Sequence, residues 1–367
     1  MNTLSRRGML ESGISLAGLA AFAQTALAQA PAAQAGGRGA APAGPPQPPV
    51  IERFDPAFDA LVDSSAKIER IVDTGFEWCE GPVWIGGADG YLLASDPRAN
   101  AILQWSTKGG LQTWLKPSGL QTPTNPAVHR EAGVNGMTLG RGGILAADSG
   151  TPGIVRIDIT TKHRTVLASR FEGKRFNSPN DLCVSPTTGA IYFTDPPYGL
   201  VNQATPEQRG EYISPLRELP FMGVFKMAPD NSVTLIGRYQ MPNGVGVSPD
   251  GSTLYHTDGN FGWVRHDLDE QGNSVSQRSL FDRVAQKFAN PRGAGDGMKI
   301  DAAGNIWTSG DSGIGVFNSQ GQRLGRFRIS GSAPNCEIGA DGNLYIAGGT
   351  GLYRVPVKAK KLMHKFF

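Results

Sequence analysis

The longest regular feature of the chain is an alternation of apolar and polar positions with period two, interrupted by Asp-Gly, Gly-Gly and Ala-Gly pairs. VGVSPDGSTLYHTD is the clearest instance, and it predicts two antiparallel strands joined by a tight turn. Six segments share this plan. They are EGPVWIGGADGYLLASD from Glu80, NGMTLGRGGILAADSG from Asn135, NDLCVSPTTGAIYFTDPPYG from Asn180, NGVGVSPDGSTLYHTDG from Asn243, DGMKIDAAGNIWTSGDSG from Asp296 and NCEIGADGNLYIAGGTG from Asn335. They recur about every 40 to 60 residues, the blade period of a propeller with uneven loops. A third strand follows each (AILQWS, GIVRIDI, GVFKMA, GWVRHDL, GIGVFN, GLYRVPV) and a fourth follows several, as in SVTLIGRY and RLGRFRI. The expectation is an all-β, six-bladed β-propeller with four-stranded blades over residues 51–367. IERIVDTGF, ahead of Glu80, has no inner strand of its own and is expected to supply the outer strand of the last blade, closing the ring.

Composition agrees with many short strands: among 367 residues, 49 are Gly, 26 are Pro and only 18% are charged. The formal charge of +3 is not the basic footprint of a nucleic-acid binder. Residues 1–30 read as an export signal of twin-arginine type: Arg6 and Arg7, an apolar run from Ile14 to Ala23, and Ala26-Leu27-Ala28 as a cleavage pattern. That run is too short for a stable membrane anchor, so the export machinery is an expected partner and a periplasmic or secreted location is expected. Residues 31–50, rich in Ala, Gly and Pro, read as a linker.

The first strand of each propeller blade lines the central channel, so equivalent residues of the repeats converge on the axis. Here they are Glu80, Asn135, Asn180, Asn243, Asp296 and Asn335, most of them followed by Gly. A ring of buried polar groups is costly without a partner, and a bound ion removes that cost. Hard oxygen donors without His or Cys favour calcium or another hard divalent cation. Such an ion polarises a carbonyl or phosphoryl group and acidifies water; a purely structural axial ion is the plainer alternative.

EGPVW, RFNSPNDLCVSP with FTDPPYG, PNGVGVSPDG and GDGMKID, in that order, resemble the gluconolactonase, senescence-marker-protein-30 and luciferin-regenerating-enzyme family of six-bladed propellers, across about Glu69 to Val357. The resemblance implies a central metal site in which Glu80, Asn243 and Asp296 bind a catalytic divalent cation. Asn180 would be a fourth ligand or hold its water, and Asp181 would stand behind the ligands or touch substrate. Calcium is the expected ion, with zinc, manganese or magnesium as alternatives. Asp296 is the expected general base, and Asn135 and Asn100 would face the substrate. The implied function is a metal-dependent lactonase that opens a small-molecule lactone by attack of activated water. Hydrolysis of organophosphates or aryl esters, and a non-catalytic ligand-binding propeller, are the competing readings, because fold alone does not choose.

Two loops are expected to rim the ring, Ser118 to Val134 and the long insertion Tyr198 to Met222. His129, on the first, is a candidate to touch substrate or shuttle a proton. His256 departs from the family pattern and reads as a packed strand histidine. Cys79, Cys183 and Cys336 read as small buried hydrophobes, with a Cys79–Cys336 bridge as the alternative.

Overall fold

Each repeat closes on itself because period-two alternation gives every strand two faces, and both become buried when sheets stack side by side. A computed structural model describes residues 48–208, 210–259, 262–280, 295–310 and 313–366. The proposed export signal and most of the linker lie outside them. The described residues form six antiparallel blade sheets arranged as a propeller, and a separate two-stranded hairpin of Arg170–Phe171 with Lys174–Arg175. Their inner strands are Glu80–Ile85, Val134–Gly140, Leu182–Val184, Pro242–Val247, Met298–Ile300 and Cys336–Ile338. We number the blades one to six in that order.

Blades one to four each have four strands in simple sequence order. Blade six takes its outer strand from the other end of the chain: Glu69–Val72 pairs antiparallel with Gly351–Pro356. The ring is therefore closed by hydrogen bonds between the chain's two ends, as the IERIV segment led us to expect. Blade five holds a strand that the pattern did not reveal. Val50–Arg53 lies outside Arg323–Arg328, with Val50 opposite Arg328 and Arg53 opposite Gly325. Four residues after a Pro-rich tract are too few to display a period. Among the described residues no helix is long and apolar enough to cross a membrane.

The core sits in the wedges between neighbouring blades. Six apolar clusters fill the six gaps. Trp84 of blade one stacks on Tyr345 of blade six at 5.2 Å, for example, sealing the closing gap. Phe58, in the short helix Pro56–Ala60, packs against the backbone of Gly325 where no side chain could fit. The three cysteines are free thiols; Cys79 and Cys336 are buried in different clusters and form no bridge.

Candidate active site

One clamp recurs at the start of the inner strands. The second strand of blades one, three and four ends in Ser95-Asp96, Thr194-Asp195 and Thr257-Asp258. Each of these aspartates turns back and accepts backbone N–H groups just before its own blade's site residue. Asp96 takes Glu77 N at 2.7 Å and Trp78 N at 3.3 Å; Asp195 takes Asn177 N at 2.9 Å and Ser178 N at 2.8 Å; Asp258 takes Gln240 N and Met241 N at 3.0 and 2.9 Å. The tight approach to Glu80, Asn180 and Asn243 is thus fixed by a carboxylate that needs buried donors.

The hydroxyl beside each aspartate reaches the next blade. Ser95 Oγ donates to the Asn135 carbonyl at 2.6 Å, Thr194 Oγ1 to the Asn243 carbonyl at 2.6 Å and Thr257 Oγ1 to the Asp296 carbonyl at 3.0 Å. Glycines allow the blades to come this close. A Cβ on Gly81 would stand 2.1 Å from the Asn135 carbonyl oxygen, and one on Gly244 would stand 2.3 Å from that of Asp296. Gly81 also has φ +43°, a conformation that glycine adopts without strain.

Glu80, Asn135, Asn180 and Asn243 are buried around the axis, with Asp296 half-buried beside them. The repeat alignment needs one correction. Gly136 N bonds the Asn180 carbonyl and Gly244 N that of Asp296, but Gly297 N bonds Pro334, at 2.7 Å. Pro334 therefore holds the sixth ring position, and Asn335 lies one residue deeper. Its Oδ1 accepts Cys336 N at 2.9 Å, just as Asp181 Oδ1 accepts Leu182 N at 2.9 Å. Asp181 and Asn335 thus form a second polar layer beneath the ring. Asn335 Nδ2 donates upward to Glu80 Oε2 at 3.2 Å, and Lys299 Nζ bonds Asn335 Oδ1 at 3.3 Å.

The electrostatics follow from this crowding. Burial first, then the charges of Asp296 and Asp181, hold the Glu80 carboxyl well above the usual carboxylate range. Burial pushes Asp296 up to about 7; a hydrogen bond from Asn243 opposes this, and the charges of Asp181 and Glu131 add to it. Burial also raises Asp181, although Lys299 counters it. Burial would lower Lys299, but Asp181 and Glu337 outweigh that and hold it above its usual value.

Two observations bear on a metal. Asn243 opposes the upward shifts of Asp296 and Tyr198, which places it close to both, while its Oδ1 is buried with no hydrogen-bond partner. No three His, Cys, Asp or Glu side chains among the described residues cluster as a metal site. A site here would have to combine two carboxylates with amide oxygens. An orphaned amide oxygen beside paired carboxylates fits a hard cation, with Glu80, Asn180, Asn243 and Asp296 as the donor set.

The remaining expected residues fall in two groups. Asn135 is at the ring, where its Nδ2 donates to Glu131 Oε2 at 3.4 Å. Asn100 is committed to the rim loop: at φ +53° its Oδ1 accepts Ser118 N and Gly119 N, and its Nδ2 donates to the Leu120 carbonyl. His129 lies on the same loop, bridged to Leu200, with Nδ1 buried and without a hydrogen bond. His256 is fully buried in blade four, against the Tyr239 ring at 4.2 Å.

Sequence reading missed Glu131 and Tyr198. The two rim loops are joined: Arg130 N and Glu131 N donate to the Gly199 carbonyl at 2.8 and 3.1 Å, and Val201 N to the Val128 carbonyl at 2.9 Å. This brings Tyr198 to Asn243, its ring 6.0 Å from the Arg130 guanidinium. Tyr198 and Glu131 both lie on rim loops outside the period-two pattern, and FTDPPYG occurs only once in the sequence, so no repeat singles out either residue.

A family model described as the SMP-30/Gluconolactonase/LRE-like region matches residues 78–350. The chain belongs to this family. A gluconolactonase of Zymomonas mobilis is 39% identical over 319 residues, covering 84% of this chain and 86% of that protein. The structure of a gluconolactonase from Xanthomonas campestris superposes with a TM-score of 0.69 at 30% identity, covering 87% of this chain and 99% of that one. Regucalcin from Agrobacterium tumefaciens, described as a calcium-binding protein, shares the fold with a TM-score of 0.58 at 18% identity, covering 80% and 95%.

Proposed function

We propose that this protein is a divalent-metal-dependent lactonase that opens a sugar-type lactone to its hydroxy acid. The observation that carries the reading is the orphaned Asn243 Oδ1 set beside the Glu80 and Asp296 carboxylates. The gluconolactonase relatives support the substrate class.

Glu80, Asn180, Asn243 and Asp296 would hold the cation, with calcium first among the hard divalent ions. When bound, it supplies Lewis-acid polarisation of the lactone carbonyl and a lowered pKa for water. Asp296 takes the proton from the attacking water as its oxygen bonds the carbonyl carbon. The bond from that carbon to the ring oxygen then breaks, and Asp296 returns the proton to the departing ring oxygen. Asn135 and the rim loops orient the ring of the substrate and limit the access of bulk water. Asp181, Asn335 and Lys299 support the site from beneath.

Acid release from a panel of lactones, followed at constant pH with and without chelator, tests this. Chelator-sensitive opening of sugar lactones is expected. Turnover that persists after exhaustive chelation would remove the metal from the reaction, and no turnover of any lactone would end the proposal. We also propose export to the periplasm or medium, supported by the Arg6-Arg7 pair and the apolar run that follows it. Cell fractionation with an Arg6→Lys, Arg7→Lys variant tests it: retention in the cytoplasm is expected, and unchanged export would refute the twin-arginine route.

A further inference from the structure

A buried carboxylate at the edge of the ring has no part in the reaction as described above. Glu131 is only 3% exposed. Among the described residues its carboxylate receives a hydrogen bond from Asn135 Nδ2, at 3.4 Å, and stands 3.8 Å from the Arg130 guanidinium. Both contacts are long for a charged acceptor with room for about four bonds.

Its position is nonetheless rigidly set. Glu131 N is held by the Gly199 carbonyl, and Ala132 N and Gly133 N by the Pro97 carbonyl at 2.9 and 2.8 Å. A side chain fixed from two loops, buried beside a ring residue and short of donors, is prepared for donors from a ligand. An ion pair would be served by a free arginine, but Arg130 is half exposed and faces the Tyr198 ring. The donors that match are hydroxyl groups, whose O–H···O⁻ bonds are short and strong.

We propose that Glu131 is the specificity-determining residue of this site, accepting hydrogen bonds from ring hydroxyls so that polyhydroxylated lactones are selected over deoxygenated ones. The inference rests on the lactonase reading and deepens it. A lactone without hydroxyls leaves Glu131 with only its long contacts to Asn135 and Arg130, and a site built to bond a hydroxyl rejects the analogue lacking it far more strongly than an apolar pocket does. Burial raises the Glu131 carboxyl above its ordinary value, and the Arg130 and Arg98 charges oppose that rise.

Two measurements on the full chain separate this inference from the function it rests on. The first compares kcat/KM for glucono-δ-lactone and δ-valerolactone in the wild type and in Glu131→Gln, with calcium present. The wild type is expected to prefer the polyhydroxylated substrate by about 100-fold or more, and Glu131→Gln to reduce that ratio about tenfold or more. An unchanged ratio in a variant whose melting curve matches the wild type overturns the proposal. The second is calorimetric binding of 1,5-anhydroglucitol, a cyclic polyol with no ester to open. Wild-type binding weakened about fivefold or more in Glu131→Gln sustains the subsite even if neither lactone is hydrolysed, in which case the function alone fails. No binding to the wild type, or equal binding to both, overturns the subsite. Glu131→Asp, which retracts the carboxylate by one methylene, replaces Glu131→Gln in both arms if the latter does not fold.

Discussion

Thr257 Oγ1 donates to the backbone carbonyl of Asp296 at 3.0 Å and accepts from Gly244 N at 2.8 Å, so one hydroxyl ties blade four to blade five directly beneath two candidate metal ligands. Thr194 does the same one blade earlier, accepting from Asp181 N at 3.1 Å and donating to the Asn243 carbonyl at 2.6 Å. The ligands therefore sit on different sheets but are referenced to one another through buried hydroxyls.

Replacing Thr257 by Val keeps the shape and strips both hydroxyl bonds, leaving the direct bond from Gly244 N to the Asp296 carbonyl at 3.1 Å as the remaining link between the two groups. A loss of about 1–3 kcal/mol in stability is expected. Calcium affinity should also fall, because the Asp296 carbonyl keeps only its bond from Gly244 N and is fixed less tightly. Thr257→Ser keeps the hydroxyl and should retain most of both. Denaturant midpoints and calorimetric titration with calcium check this; a valine variant with wild-type calcium affinity would show that the bridge does not position the site.

The raised Asp296 carboxyl gives the metal-free protein a definite pH response. Its folded pKa, about 7, exceeds the ordinary value of 3.8, so the native state holds the proton more tightly than the unfolded chain. Its contribution to stability is complete below about pH 4 and is lost as pH rises through 7. A cation needs the ionised carboxylate, so its stabilising effect grows over the same interval. Thermal melts with chelator and with calcium at pH 5, 6, 7 and 8 should show a calcium-induced increase that widens with pH. Asp148 and Asp195, raised by burial to about 6 and about 7, slope the metal-free curve the same way. The calcium-dependent difference should nevertheless vanish in Asp296→Asn. A difference that narrows with pH contradicts the assignment.

The propeller was readable because period two, turn pairs and blade length are all local, and six imperfect copies reinforce one another. The Ser95-Asp96, Thr194-Asp195 and Thr257-Asp258 pairs were equally visible, but only the structure reveals that the acid clamps its own blade while the hydroxyl reaches the next. Asn335 misled because residue identity, rather than register, set the repeat alignment; Pro334 takes the ring place, and a one-residue shift changes the layer a side chain joins. Glu131 and Tyr198 sit on loops, which carry no period. Their meeting depends on backbone bonds between residues some 70 apart in sequence, such as Glu131 N to the Gly199 carbonyl.

Blade four responds to acid in the opposite sense from Asp296. Burial pushes His256 down to about 4 and His266, also buried, down to about 3. His256 Nε2 is buried without a partner, and the Tyr239 hydroxyl lies 3.0 Å from His266 Nε2. The unfolded chain takes up protons below its ordinary value of 6.5 while the native state does not, so stability falls as pH drops from about 6.5 toward 4. The expected slope is at most about 1.4 kcal/mol per pH unit for each histidine. His256→Gln should flatten the curve of unfolding free energy between pH 6 and 4 by about one proton's worth. An unchanged slope would mean that His256 is charged in the fold.

The face opposite the site is crossed by the C-terminal segment. Lys358 N bonds the Leu61 carbonyl at 2.7 Å, Ala302 N the Lys360 carbonyl at 2.8 Å, His364 Nε2 meets the Leu139 carbonyl at 3.0 Å and Arg141 N bonds the Phe366 carbonyl at 2.7 Å. The segment thus runs from blade six past blade five to blade two, while the Phe366 ring packs against Gly189 of blade three. On the way Lys361 pairs with the buried Glu337, and Lys361, Leu362 and His364 wall a cavity of about 70 Å³ that also reaches Lys299. A strap that joins non-adjacent blades resists opening of the ring in a way that no single blade interface does. Removing residues 359–367 unpairs Glu337 and exposes Leu139 and Gly189, so a stability loss of about 3 kcal/mol or more is expected. The truncated ring should also release bound calcium to a chelator faster, because the axial channel gains a second mouth. Stopped-flow chelation together with melting curves of the truncated and full chains decides this; unchanged release with a lowered melting temperature would make the strap a brace and not a seal.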